Sequence, residues 1–400
     1  QWFEESRNDR DFGDITRFER VENVDALSAN LDFTKAWNNR HRVYYGLEAV
    51  YNDISSTGLD RNIGTGEAVA GPSRYPESDW QSYAVYATYQ YDLSETVLLQ
   101  AGARYNQFAL HATFDTTFYP FPFTTANISN GALTGSLGLV IRPSENWVMS
   151  ANVSTGFRAP NIDDVGKIFD SEPGSVVIPN PDLQAEYAYN AEIALARVFG
   201  EAVKVDVTGF YTLLDNALVR RDFTLNGVDS IPYDGELSQV QAIQNAAVAT
   251  VYGVQAGLEV KLPEGFSISG RINWQAGEEE LDNGEISASR HVAPLFGVVR
   301  LQYSTRQLRM ECNLQYNGEI SYENLNVGER GKPYLYASDE NGNPYSPAWY
   351  TLNFKALYQL NEQLAISGGV ENLTDQRYRP YSSGIAGAGR NVVLSLRANF

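Results

Sequence analysis

Apolar and polar residues alternate along much of this chain with a period of two. In AVKVDVTGFY, Val203, Val205, Val207 and Gly209 fall on one parity and Lys204, Asp206 and Thr208 on the other. In FSISGRINWQ, Ile268, Ile272 and Trp274 oppose Ser267, Ser269, Arg271 and Asn273. QLRMECNLQY sets Leu308, Met310, Cys312, Leu314 and Tyr316 against Arg309, Glu311, Asn313 and Gln315. YTLNFKALYQL sets Leu352, Phe354, Ala356 and Tyr358 against Asn353, Lys355 and Gln359. Side chains of an extended strand point alternately to its two faces, so each segment has one greasy and one polar face. The segments run about 10–13 residues, against about five or six for a globular strand and about 9–11 for one crossing a bilayer at a tilt. The polar face holds Arg, Lys, Glu and Asn at strand centres, which suits the wet interior of a wide barrel. Trp80, Trp147, Trp274 and Trp349 stand near segment ends, where aromatic rings are expected at membrane–water boundaries.

The connections sharpen this reading. Short links fall at WNNR (37–40), DLSE (92–95), RPSEN (142–146), GEA (200–202), PEG (263–265), TRQ (305–307) and NEQ (361–363). Long ones lie between them, roughly at 53–79, 109–131, 156–186, 215–249, 278–290, 319–347 and 373–390. Strict alternation of short and long is the layout of an up-and-down meander with tight turns on one rim and long loops on the other, as in outer-membrane barrels. It yields about fifteen strands, the first descending from the long-loop side and the last, NVVLSLRANF, ending on the short-turn side. Closed bacterial barrels normally have an even number of strands. Residues 1–400 are therefore expected to be the C-terminal part of one transmembrane antiparallel β-barrel domain, all-β, whose first strands precede Gln1.

Composition narrows the function. A net charge of −19 argues against a polyanionic partner such as nucleic acid. Cys312 is the single cysteine, so no internal disulfide can form, and His41, His111 and His291 lie far apart in sequence, so no metal site is expected. No apolar run approaches the roughly 20 residues of a membrane helix, which leaves a β-barrel open. No nucleophile–base set is visible, so no enzymatic activity and no cofactor are expected. GIAGAGR (384–390) has the glycine spacing of a dinucleotide loop but lacks the strand before it and the helix after it; its glycines are expected to give a mobile loop.

One long connection stands apart, STGFRAPNIDDVGKIFDSEPGSVVIPNPDLQAEY (154–187), with four prolines and no simple period. Its GFRAP (Gly156–Pro160) and PNPDL (Pro179–Leu183), together with ENLTDQRYRPYSSGIAGAGRNVVLSLRANF (Glu371–Phe400), resemble the boxes of TonB-dependent outer-membrane receptors. The matching positions are Phe157, Arg158, Ala159 and Pro160, then Asn180, Pro181, Asp182 and Leu183, then Arg390 and Phe400. The heme and hemoglobin receptor branch carries Phe-Arg-Ala-Pro and Asn-Pro-Asn-Leu; Asp182 stands where that branch has Asn. The resemblance implies a 22-stranded barrel in the outer membrane of a Gram-negative bacterium, of which these are the last fifteen strands, with an N-terminal plug preceding Gln1. It also implies energised uptake of a scarce nutrient, an iron complex such as a ferric siderophore or heme. The implied partners are the TonB–ExbB–ExbD motor acting through the plug, outer-membrane lipid and lipopolysaccharide, and the small-molecule ligand.

Candidate ligand contacts follow from the loops. Arg158, Asp163, Asp164 and Lys167 lie in the proline-rich connection, where they would hold ligand or lock the loop; the architectural alternative pairs Arg158 with loop carboxylates or the plug while the prolines stiffen the loop ends. The heme branch commonly has an iron-ligating histidine between its two boxes, but residues 161–179 contain none. His111 is then the histidine expected to face substrate, His41 and His291 standing near strand starts. Tyr322, Tyr334, Tyr336 and Tyr345 offer contact area and a hydrogen bond at low entropic cost, or pack loop against loop. DENGN (339–343) has oxygen donors but not the full spacing of a calcium loop.

The alternatives are a passive porin-type diffusion channel, and an adhesin or enzyme barrel that would need no motor. The isolated chain is expected not to close, because its last strand would present unpaired backbone to lipid. Absence of heat-modifiable migration on a gel is the expected result, and such migration would contradict it.

Overall fold

The computed structural model describes residues 1–118, 121–166, 169–172, 174–233, 236–281 and 284–399. One antiparallel meander forms the wall. Its strands are β1 (Trp2–Asp9), β2 (Thr16–Asn38), β3 (His41–Asn62), β4 (Glu77–Asp92), β5 (Val97–Thr113), β6 (Thr125–Ile141), β7 (Trp147–Arg158) and β8 (Glu186–Phe199). They continue as β9 (Val203–Asp222), β10 (Glu236–Lys261), β11 (Phe266–Glu280), β12 (Phe296–Ser304), β13 (Leu308–Asn317), β14 (Trp349–Gln359), β15 (Leu364–Glu371) and β16 (Asn391–Ala398). Each is hydrogen-bonded to the next. The strands expected from the sequence are β2 to β16. Residues 1–15, expected as the end of a long loop, instead contain β1, which pairs Trp2–Asp9 with Asp25–Phe18. Its sequence, WFEESRND, does not alternate apolar with polar residues, so period two does not mark it.

The wall changes polarity with height. Along β5, Leu99, Ala101, Ala103 and Tyr105 face outward while Arg104 and Asn106 face the lumen; past Tyr105 the parities exchange chemistry. Gln107, His111 and Thr113 now point outward, and Phe108, Leu110 and Ala112 are buried on the inner side. The neighbouring strands switch at the same level. Leu133 of β6 opposes Tyr105, with Gly131, Ser129 and Asn127 above it. Leu27 and Tyr51 pair across β2 and β3, with Asp25 opposite Asp53 two residues higher. Below this line the outer face is apolar and the inner face polar; above it the outer face is polar and folded loops pack on the inner face. The outward apolar span from Tyr105 down to Val97, or from Leu133 to Ile141, matches the 9–11 residues needed to cross a bilayer.

Aromatic rings mark both edges of that band. At the upper edge the Tyr105 and Tyr83 hydroxyls turn away from lipid to Gln107 (2.9 Å) and Gln81 (3.2 Å). Gly131 leaves room for the Tyr105 hydroxyl, which a Cβ there would displace. At the short-turn edge His41 stacks on Tyr91 (4.4 Å) and contacts the Tyr89 hydroxyl at 2.5 Å. The Arg197 guanidinium there lies between Trp147 and Phe199, 4.5 and 4.3 Å from the two rings. Trp147 and Trp274 thus take the girdle positions expected of them. Trp80 and Trp349 do not: Trp80 packs on the inner apolar cluster and Trp349 lies tilted against Tyr378 (4.4 Å), because their parity is that of the lumen face.

The inner wall in the membrane zone is wet and cross-braced. Arg104 reaches Glu48 (2.5 Å), Asn106 donates to Ser82 (2.8 Å), Asn353 donates to Asn313 (2.9 Å) and Lys355 meets Glu371 (2.9 Å). On the long-loop side pairing outlasts the apolar pattern. The loops expected at 53–79, 109–131 and 215–249 are shortened, because strands run on to Asn62, Thr113 and Asp222 and resume at Glu77, Thr125 and Glu236. Above the membrane a ribbon needs no greasy outer face, so periodicity stops marking it while its hydrogen bonds continue.

The band makes a face-specific prediction. Leu137 sits outward at the middle of β6 and Ser136 inward beside it. Leu137→Arg should destabilise the folded barrel by about 2–4 kcal/mol, whereas Ser136→Arg should change stability little; urea titration of the full-length protein in bilayers distinguishes the two.

Candidate ligand-binding rim

The proline-rich connection folds inward and docks on the apolar shelf made by the upper ends of β5 and β6. Val165, Leu183 and Ala185 join Phe108, Leu110, Ala112, Phe114, Ala126 and Ile128 in one buried cluster. Phe157 stacks on Phe108 (6.2 Å) and Ala159 packs beside it. Pro160 and Pro179 are fully buried at the two ends of the segment. Between them a single helical turn, α1 (Ile162–Val165), is closed by a reciprocal cap. The Asn161 side chain accepts from the Asp164 amide (3.1 Å), and the Asp164 carboxylate accepts from the Asn161 amide (3.0 Å). Further on, Ser175–Ile178 adds as a parallel strand to Gln239–Ala242 of β10.

Arg158 stands at the root of this segment. Its guanidinium donates to Asp164 (2.5 Å) and lies 3.9 Å from Glu186, which also accepts from the Leu218 amide (2.8 Å). Asp163 accepts from the Tyr75 hydroxyl (2.6 Å), tying the segment to the loop between β3 and β4. Burial and that carboxylate both raise the Tyr75 phenol above its usual range. Asn180 donates to the Ile243 carbonyl (2.7 Å), and Gln184 exchanges two hydrogen bonds with Asn245, 2.8 and 2.9 Å. Leu183 is buried, Pro181 half-buried and Asp182 exposed.

A second brace joins the three remaining long loops. Glu329, in the turn α2 (Val327–Arg330), is fully buried. It accepts from the Tyr336 hydroxyl (2.5 Å) and pairs with Arg290 (2.6 Å) and Lys332 (3.9 Å). Burial alone would push the Glu329 carboxyl up; the Tyr336 hydroxyl, then Arg290 and Lys332, outweigh it and hold it below the usual range. Asn326, the cap of that turn, donates to Glu279 (2.8 Å) and the Ala288 carbonyl (2.6 Å). Arg379 donates to the Leu335 carbonyl (2.8 Å). The last loop is stapled by Asn372, which donates to the Gln376 and Ala388 carbonyls (2.8 and 3.0 Å). Arg390 completes it, donating to the Leu373 carbonyl (3.1 Å) through its side chain and to Asp375 (2.8 Å) through its amide.

The sequence-named residues therefore separate. Arg158, Asp163 and Asp164 come together with Tyr75. Lys167 and Phe400 lie outside the described residues. His111, expected in a loop facing substrate, is on β5 and points outward to Asn127 (2.6 Å). The strand continues past the membrane, and its parity there is the solvent side. His291 is the exposed rim histidine, held at φ +66° beside Arg290. Tyr336 is spent on Glu329. Tyr322 lies under the Arg330 guanidinium (4.9 Å), Tyr345 is in the hairpin Ala337–Ser338/Pro344–Tyr345, and Tyr334 is the most exposed of the four. In DENGN the Asp339 carboxylate accepts from the Asn343 and Asn341 amides (2.8 Å each), a turn that consumes its oxygens. The glycines of GIAGAGR, expected to be mobile, include Gly387, packed so tightly that a Cβ would meet the Tyr378 ring at 2.1 Å. Sequence reasoning missed Tyr75, Arg290, Asn326 and Glu329. The Asn326–Glu329 spacing, a cap residue with Glu three positions on, was the one local signal available.

A family model described as "TonB dependent receptor-like, beta-barrel" matches residues 2–373. Over 312 residues, 71% of this chain and 37% of the relative, the chain is 23% identical to hemoglobin-haptoglobin utilization protein B of Neisseria meningitidis serogroup A. It is 25% identical over 262 residues to the iron-regulated outer membrane virulence protein of Vibrio cholerae, 64% of this chain and 37% of the relative. The chain thus spans well under half the length of these curated relatives. Among solved structures, the copper transporter OprC superposes with TM-score 0.74 at 13% identity, over 96% of this chain and 57% of that one. The Serratia marcescens hemophore receptor HasR, in complex with its hemophore and heme, superposes with TM-score 0.68 at 17% identity, over 96% and 60%.

The buried brace predicts a local phenotype. Glu329→Ala removes the partner of Arg290, Lys332 and the Tyr336 hydroxyl and should loosen the loop over residues 318–348 by about 1–3 kcal/mol. Limited proteolysis should cut that loop while the barrel stays folded. Because the folded carboxyl lies below its unfolded value, the stabilisation is complete above about pH 4.5 and lost as pH falls through the lower folded value. Protection should therefore persist at pH 5 and fail in stronger acid.

Proposed function

The chain belongs to the TonB-dependent receptor β-barrel family, and from that premise we propose that it forms the wall and capturing rim of an outer-membrane receptor for energised uptake of a scarce iron complex. The match to the family model over residues 2–373 carries the reading. Relatives with hemoglobin-haptoglobin and iron-regulated names favour iron as the cargo. The two relatives named above, a utilization protein and an iron-regulated outer membrane protein by name, do not favour the passive-channel alternative. The motor reached through TonB, ExbB and ExbD and the surrounding lipopolysaccharide enter as partners of the whole receptor.

The rim suits capture because its loops are held in place before any ligand arrives, which lowers the ordering cost of binding. Arg158, Asp163 and Asp164 lock the docked segment to the wall and to Tyr75. Tyr334, with Tyr322 and Tyr345, offers exposed or half-exposed aromatic surface for a ligand. For heme, the candidate iron ligand is His291, a histidine at the exposed rim. A ferric siderophore needs no such ligand, and the absence of histidine from residues 161–179 favours it.

Hemin titration of the full-length receptor in detergent, read by Soret absorbance, separates these cargoes. A saturable shift lost in His291→Ala and kept in His111→Ala supports heme capture at the rim. No shift assigns the rim to ferric siderophores, to be tested by radioactive iron uptake.

A further inference from the structure

A cation stands on the lipid-facing side of the wall. Among the described residues, the outward positions between the level of Tyr105 and the short turns include two lysine or arginine side chains, Lys35 on β2 and Arg197 on β8. Arg197 shares its parity with Tyr189, Ile193 and Leu195, all exposed on the outer face. It pairs directly with Trp147 of β7 and Val205 of β9, so it borders neither the lumen nor an open edge of the sheet. An arginine facing lipid is strongly destabilising at mid-bilayer and tolerated near the interface. Arg197 lies at the interface, beside the short turn at 200–202.

The way Arg197 is held sets it apart. Its guanidinium lies 4.5 Å from the Trp147 ring and 4.3 Å from that of Phe199. A long basic side chain ordinarily snorkels to bulk water. Here two aromatic rings keep the charge on the outer surface of the wall. Stacking uses the faces of a guanidinium and leaves its in-plane N–H donors free. Arg197 makes no hydrogen bond or ion pair among the described residues, and the acids of the adjoining turns, Glu145 and Glu201, make none with it. Toward mid-bilayer the next outward row is apolar, Met149, Leu195 and Val207. One row further, Ile193 is 71% exposed and stands between Ala151 and Gly209, where a Cβ would meet nothing within 4 Å. A ridge flanked by two shallow troughs therefore leads from the charge into the hydrocarbon band. A fork of donors at headgroup level matches the oxygens of a phosphate, and the troughs match a pair of acyl chains.

We propose that Arg197, Trp147 and Phe199 form a docking site for an anionic phospholipid in the leaflet at the short-turn edge, its phosphate on the guanidinium and its two acyl chains on either side of Ile193. Charge complementarity and continuity with the lipid-facing band select a lipid over free phosphate. The inference needs only that the outward band lies in hydrocarbon; it does not depend on the cargo or on energised uptake.

The test uses the full-length receptor in phosphatidylcholine vesicles containing chain-brominated phosphatidylglycerol, with Trp147 fluorescence as readout. Subtracting Trp147→Phe, which keeps a ring beside the guanidinium, isolates that signal in each background. Brominated phosphatidylglycerol should quench Trp147 at a lower mole fraction than brominated phosphatidylcholine. The mole fraction for half-quenching should rise about fivefold in Arg197→Gln, the worth of one basic residue near an anionic surface. Lys35→Gln should behave as wild type. Heat-modifiable migration checks that each variant is folded. An unshifted half-quenching point in folded Arg197→Gln overturns the proposal, as does an equal response to brominated phosphatidylcholine in the wild type or an equal shift in Lys35→Gln. Glycerol 3-phosphate should not relieve the quenching; full relief would mean that phosphate alone occupies the site and would overturn the lipid assignment. If Arg197→Gln does not fold, Arg197→Lys decides: it keeps the charge but loses the flat fork, so the half-quenching point should rise roughly twofold or more, and an unaltered value overturns the site. A receptor that holds this lipid but takes up no iron complex would sink the transport reading and leave the site standing; uptake without the lipid preference would do the reverse.

Discussion

Lipid offers no hydrogen bonds, so every backbone amide and carbonyl inside it must be paired within the protein. That requirement sets the long antiparallel strands of this wall, and the alternation of side chains along them then forces one face into hydrocarbon and the other into the lumen. The exchange of chemistry at Tyr105, Leu133 and the Leu27–Tyr51 pair is the clearest trace of it. The strands do not end where the hydrocarbon ends. Only the solvent on each face changes, and the residues change with it.

The rim depends on that exchange. Above the membrane the inner face of β5 and β6 becomes apolar, and Phe108, Leu110 and Ile128 give the proline-rich segment a shelf to bury Val165 and Leu183 against. The family boxes then read as joinery. Phe157 and Pro160 pack, Arg158 and Asp164 close the first turn, Asn180 caps a carbonyl of β10, and Arg390 staples the last loop. Glu329 performs the same task for the loops on the other side, with Arg290 and Tyr336 replacing the water it has lost. A braced rim stands above, and paired polar groups such as Arg104 with Glu48 line the wall below.

Much of the fold was legible because it repeats. Period-two patterning marked β9, β11, β13 and β14, and the alternation of short and long links ordered them into a meander. Legibility failed where the pattern lost its environment. β1 lacks the alternation, and the ribbons above the membrane have no lipid to demand apolar residues, so strands reaching Asn62, Thr113 and Asp222 read as loops. His111 was misplaced by the same cause. Trp80 and Trp349 were assigned to the girdle because composition shows an aromatic near a strand end without showing which face it occupies.

The sequence by itself determined the strand faces, the sidedness of the connections and the boxes that mark the family. These follow from near neighbours, where parity and turn chemistry act within about a dozen residues. Tertiary structure alone decided the height at which the faces exchange, the inward docking of Val165, Leu183 and Ala185, and the burial of Glu329 against Arg290. Each of these depends on register between strands or on loops that meet only across the barrel mouth. Cross-strand register is written in hydrogen bonds between distant segments, and no local pattern of residues records it.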